Sequence, residues 1–103
     1  MTTENRYEGK PFLRLLDCYV LKAIGHLDDA QEAALMAMEP KFHDVYNVEG
    51  SWLEIVSHQM EFPASLPAEI KRIWDEGSVR AEKMGFSPVP SEFMREFVDT
   101  NFV

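Results

Sequence analysis

Cys18 is the only cysteine in the chain, and one thiol cannot close an internal disulfide, so nothing points to an oxidising compartment. Glycine is scarce too. The five glycines are scattered singly, which leaves no glycine-rich loop able to cradle a phosphate. No apolar run approaches the roughly 20 residues that a membrane span needs. Met1 to Lys10 is polar and lacks the apolar stretch of a secretory signal. The expected location is therefore the cytoplasm, with no membrane partner. Positive charge is also short, with 10 Lys and Arg against 18 Asp and Glu, a net charge of −8. Nucleic-acid affinity rests largely on neutralising phosphates, so nucleic acid is not an expected partner. There is no two-residue apolar alternation of the kind strands show, no internal repeat and no low-complexity tract.

What remains is a chain of 103 residues, 46% of them hydrophobic, enough to bury one core without disulfides or metal. The spacing of those residues predicts an all-α fold: a compact single-domain bundle of four main helices plus one or two short helices. Residues 1–10 are expected to be a flexible segment, and residues 11–103 to form the helical domain. The first helix is predicted over Pro11 to Ile24, with proline in the first turn and Gly25 ending it. Phe12, Leu16, Tyr19, Val20, Ala23 and Leu27 share one face, and Leu13, Leu15, Leu21 and Ile24 widen it, so this helix should lie at the centre of the fold.

Asp28 or Asp29 caps a second helix, with Asp29 and Glu32 at capping-box spacing. Leu35, Met38, Phe42, Val45 and Tyr46 hold helical spacing across Pro40. A proline inside a helix removes a hydrogen bond and crowds the preceding turn, so a kink or, slightly better, a break is expected at Glu39–Pro40. Asn47 to Gly50 reads as a turn. Ser51 and Glu54 form a second capping box, and Trp52, Ile55, Val56, Gln59 and Met60 line the helix that follows. Phe62-Pro63 ends it. From Ser65 onward, Leu66, Ile70, Ile73, Trp74, Gly77, Ala81 and Met84 make one stripe that should place Ile73 and Trp74 in the core. Lys71/Asp75, Arg72/Glu76 and Glu76/Arg80 pair on the other side. Gly85 stops this helix, with Phe86 set to close over its last turn. Ser87 to Pro90 is a stiff connector, and Ser91 caps a last helix carrying Phe93, Met94, Phe97 and Val98.

Chemistry-bearing residues are few. Glu54 and His58 lie four apart on one helix side, opposite the Trp52/Ile55/Val56 stripe, but two ligands fall short of the three or four that zinc uses. They read as a solvated pair, and no metal or other cofactor is expected. His26, just past a helix-ending glycine, suits the negative end of the helix dipole. Cys18 sits between apolar neighbours and beside Asp17, the opposite of the electropositive setting that activates a thiol. Ser51, Ser65 and Ser91 are accounted for as caps. No nucleophile, base or paired-carboxylate pattern stands out, so no catalytic residue is assigned, and an enzyme is the less expected class.

Charge is the one feature distributed unevenly. Residues 28–62 hold Asp28, Asp29, Glu32, Glu39, Asp44, Glu49, Glu54 and Glu61 against Lys41 alone, a net of −7, while residues 1–27 come to +1 and residues 63–103 to −2. Asp28, Asp29 and Glu32 cluster at a helix start, where the dipole favours them. The remainder defines the candidate partner-binding set: Glu39, Asp44, Glu49, Trp52, Glu54, His58 and Glu61. Trp52 can be read as core or, at a helix start beside acidic residues, as an interface anchor. The expected function is a small acidic protein-binding or adaptor protein acting on a basic protein surface. The competing readings are a merely solvated acidic face, a small-ligand or metal site between helices, and a homodimer formed through apolar surface left over on the broad first helix.

Overall fold

The computed structural model of the protein describes residues 11–102, the first by its backbone alone; the flexible segment expected at residues 1–10 lies outside them. Five helices follow one another: α1 (Pro11–Ala23), α2 (Asp29–Tyr46), α3 (Trp52–Met60), α4 (Leu66–Lys83) and α5 (Pro90–Asn101). No strand occurs among the described residues. The fold is an all-α bundle, as the periodicity predicts.

α1 is the hub. It packs against each of the other four helices, and α2 also packs on α3. Its sequence suits this position, because its broad apolar character leaves little of its perimeter, chiefly Arg14 and Lys22, for water. Leu13, Leu15, Leu16, Cys18, Tyr19, Val20 and Leu21 are all buried. Gly25 then adopts a left-handed φ of 79°. The His26 N–H returns to the Leu21 carbonyl at 2.9 Å and the Gly25 N–H to Lys22 at 3.1 Å, which satisfies the last carbonyls of the helix.

Several local expectations shift. Of the two caps expected for α2 the structure uses Asp28, and the capping box is Asp28 with Gln31 in place of Asp29 with Glu32. The Gln31 N–H donates to Asp28 Oδ1 at 2.7 Å, and the Asp28 N–H to Gln31 Oε1 at 3.4 Å. Glu32 is drawn elsewhere, to Lys22 Nζ at 2.8 Å. α2 runs through Pro40 without a break. Leu35 and Phe42, seven residues apart on one side, are both buried against the core, so tertiary packing keeps the helix continuous past Pro40 and outweighs the lost hydrogen bond. Ser51 does cap α3, accepting from the Glu54 N–H at 3.2 Å, but Ser65 makes no side-chain cap to α4, and α5 starts at Pro90 after Val89, which leaves Ser91 inside the helix. Gln59 is exposed.

The largest correction is in α4. Its only buried residue is Ile70. Ile73 is 40% exposed and Phe86 64% exposed, while Trp74 is half-buried. α4 and α5 each lean on α1, and the ring contact between them is Trp74 with Phe93, centroids 5.3 Å apart. Beyond that contact the two helices splay around a space of about 280 Å³. The second half of the α4 stripe therefore has nothing to lie against. Lys71–Asp75 at 3.2 Å and Arg72–Glu76 at 3.3 Å bridge as their spacing predicts.

Candidate docking surface

α2 and the short α3 carry most of the acidic segment, and the four-residue turn at 47–50 joins them. Asn47 supports the turn with a left-handed φ of 55°. Gly50 suits it because its φ of 116° is a backbone conformation that side-chain-bearing residues rarely adopt. His43 ties the turn back to α2, its Nε2 lying 2.7 Å from the Gly50 carbonyl oxygen. At the other end of α3, Glu61 holds a left-handed φ of 55°. The Phe62 N–H bonds the Ser57 carbonyl at 3.0 Å and the Glu61 N–H bonds His58 at 3.2 Å, the arrangement that glycine usually serves.

The predicted partner-binding residues divide into two groups. Asp44, Glu49, Glu54, His58 and Glu61 are exposed. Asp44 lies on the last turns of α2, Glu49 on the turn, Glu54 and His58 along α3, and Glu61 at its end, roughly 13 Å of helix from the start of α3. The other two are used by the fold. Trp52 is only 2% exposed and belongs to the core; of its two readings the structure places it in the core and leaves it no face for a partner. Glu39 is half-buried, and its Oε2 accepts the Trp52 backbone N–H at 2.8 Å. It therefore caps α3 from 13 residues upstream, satisfying one of the donors that a helix start leaves free.

Among the described residues Asp44, Glu49 and Glu61 form no ion pair, in contrast to Glu32, Asp75 and Glu76, each bound by a Lys or Arg. Among the described residues no group of three or more His, Cys, Asp or Glu is placed to hold a metal ion. His26 packs edge-on against Trp74, with centroids 5.4 Å apart. Burial, with Asp17 adding to it, pushes the Cys18 thiol up from 9.0 to about 11, so at neutral pH it is a protonated core side chain and a poor nucleophile. Burial likewise raises the Tyr19 hydroxyl.

Two features lie outside what the sequence reading found. Asp17 is fully buried in α1 and engaged in a polar interaction. Its signal was available: Asp17 is flanked by Leu15, Leu16, Cys18, Tyr19, Val20 and Leu21 in the helix expected at the centre of the fold. The second is a cleft of about 490 Å³ between α1, α3 and the α3–α4 connection, lined by Tyr19, Lys22, Ala23, Leu53, Ser57, Phe62, Pro63, Ala64 and Pro67. No periodic signal marks it, because three separate elements form it.

These features define a class: a five-helix, hub-centred all-α domain with an acidic, largely unpaired surface over α2 and α3 and an apolar cleft beside it. No protein-family model, curated protein or solved structure matches the chain. Among the described residues no helix is long and apolar enough to cross a membrane.

Proposed function

We propose that the protein is a binding or adaptor module that presents the acidic surface of α2 and α3 to a basic surface on a protein partner. One observation carries this reading: Asp44, Glu49 and Glu61 project into solvent with no cation bound among the described residues, on a segment, 28–62, whose eight acids face Lys41 alone. Unpaired like charge costs self-repulsion in the folded state, yet it steers a complementary partner and raises its on-rate. Glu54 and His58 extend the same surface along α3. Glu39 and Trp52 support it from below, one capping α3 and the other anchoring it in the core.

The test is charge reversal. Asp44→Lys with Glu61→Lys leaves the helical spectrum unchanged, because both side chains are exposed. The same pair slows association with a basic partner and flattens its salt dependence. Partners captured from native lysate by the wild type and the double variant are compared at low and high salt. Equal recovery by the two proteins, or no partner at low salt, reduces the acidic segment to a solvated face.

A second reading has its own observation. Beside Met36 and Val45 on α2 and Ile73 on α4, the exposed apolar surface lies not on α1, which is mostly buried, but at the far end of α4 and the segment after it. There Val79, Met84, Phe86 and Val89 are 50%, 71%, 64% and 41% exposed. Four of the seven exposed large hydrophobics at one junction support self-association through that end. Sedimentation over a hundredfold concentration range, with Met84→Ser/Phe86→Ser as the control, tests it. A monomer at every concentration removes it.

A further inference from the structure

The cleft between α1, α3 and the α3–α4 connection lies against the acidic surface. Leu53 and Ser57, which line it, share α3 with Glu54 and His58, and Phe62 in its wall directly follows Glu61. Its inner face is apolar and fixed. The Tyr19 and Phe62 rings stack with centroids 4.8 Å apart, Ala23 and Ala64 leave the space open, and Pro63 and Pro67 stiffen the outer wall. At about 490 Å³ it falls within the range of recognition pockets.

The charges at its rim choose between occupants. Among the described residues Lys22 is the only cation lining the cleft, and Glu32 already holds it at 2.8 Å. An anionic ligand would have to compete with that carboxylate inside a protein of net charge −8. A cationic partner meets no such competition. Glu61, next to the wall, keeps a left-handed backbone that glycine would adopt without strain, as expected where a carboxylate is retained for a purpose other than stability.

Resting on the acidic-surface reading, we infer that the cleft receives a projecting aromatic or long aliphatic side chain of the basic partner, whose flanking Lys and Arg residues meet Glu54 and Glu61. Charge alone gives rate and orientation. An apolar anchor seated in a preformed pocket gives residence time, because the few buried anchors of an interface supply most of its binding energy.

Three labelled 11-residue probe peptides test this by fluorescence anisotropy on the full chain. One carries six Lys and Arg with a central tryptophan, the second replaces that tryptophan by alanine, and the third keeps it with every base changed to glutamine. The tryptophan peptide is expected to bind about tenfold tighter than the alanine peptide, the ratio a single pocket-filled anchor provides. Ala64→Phe, or Ser57→Phe should the first variant fold poorly, fills the cleft and brings the ratio to about one while preserving the salt dependence. Asp44→Lys/Glu61→Lys weakens both basic peptides together and leaves the ratio intact. Equal, salt-dependent binding of the two basic peptides to the wild type overturns the cleft assignment and leaves the acidic surface standing. A tryptophan preference that survives both cleft-filling variants overturns it as well. A preference lost on filling the cleft, but indifferent to charge reversal and to the glutamine peptide, keeps the cleft as an anchor site and sinks the acidic-surface reading. No binding of any peptide sinks both.

Discussion

Along α1 every residue from Leu15 to Leu21 is buried, Asp17 included, whereas α4, five residues longer, buries only Ile70. Both helices carry an unbroken apolar stripe at helical spacing. What separates them is company: α1 touches all four other helices, while α4 leans on α1 and diverges from α5 beyond the Trp74–Phe93 contact. A stripe says which face of a helix prefers to be covered; the number of neighbours decides how much of it is. The acidic surface belongs to neither extreme. It stands on α2 and α3, which bury only Leu35 and Phe42 from one and Trp52, Ile55 and Val56 from the other, and so leave most of their perimeter to solvent.

Truncation sharpens this contrast most directly. Leu15→Ala and Trp52→Ala each remove a side chain buried to 2% exposure or less and should cost about 3–5 kcal/mol by urea denaturation. Trp74→Ala, at a half-buried site with edge contacts to Phe93 and His26, should cost about 2 kcal/mol, from the lost ring pairs and partial burial. If Trp74→Ala matched Trp52→Ala, α4 would be as fully covered as α1 and the distinction would fail. Next in size is Glu39→Ala, which removes the acceptor of the Trp52 N–H and should cost about 1 kcal/mol, as the loss of other helix caps does. Phe86→Ser should stay within about 0.5 kcal/mol of the wild type, as exposed positions do. A larger loss that grew with protein concentration would show that a second copy covers this end. Glu61→Gly should act in the opposite direction, raising the midpoint of unfolding because glycine carries no penalty at a φ of 55°.

Cys18 reports on α1 by chemistry instead of packing. With its thiol pushed up to about 11, a disulfide reagent at pH 8 should label it only at denaturing urea concentrations. Because the folded state keeps the proton that the unfolded state loses near 9.0, stability should fall as pH rises from about 9 toward 11. Cys18→Ala should remove that part of the decline. Rapid labelling of the native protein at pH 8 would place Cys18 nearer solvent than the rest of α1.

Much of this was legible along the chain, for a consistent reason. Several caps and stops that depend on residues within three or four positions hold, namely Gly25, Asp28, Ser51 and Gly85, whereas the caps expected at Ser65 and Ser91 do not form. Where two remote segments compete for the outcome, local rules failed. Pro40 favours a break in isolation, yet α2 continues because Leu35 and Phe42 pack on the same core. Glu39 looked like a free surface acid, but its partner is the N–H of Trp52, 13 residues on. Ile73 fits its stripe perfectly and still faces water.

By itself, the sequence determined the all-α class, the central place of α1, the exposure of Asp44, Glu49, Glu54, His58 and Glu61, and the burial of Cys18. Each follows from periodicity or composition, which act over a few residues and need no knowledge of neighbours. Tertiary structure alone decided that α4 and α5 splay, that Glu39 and Trp52 serve the fold, that Asp17 is enclosed, and that a cleft opens beside the acidic surface. Those outcomes depend on which elements touch and which leave space between them, and contacts between segments far apart in the chain leave no periodic trace in it.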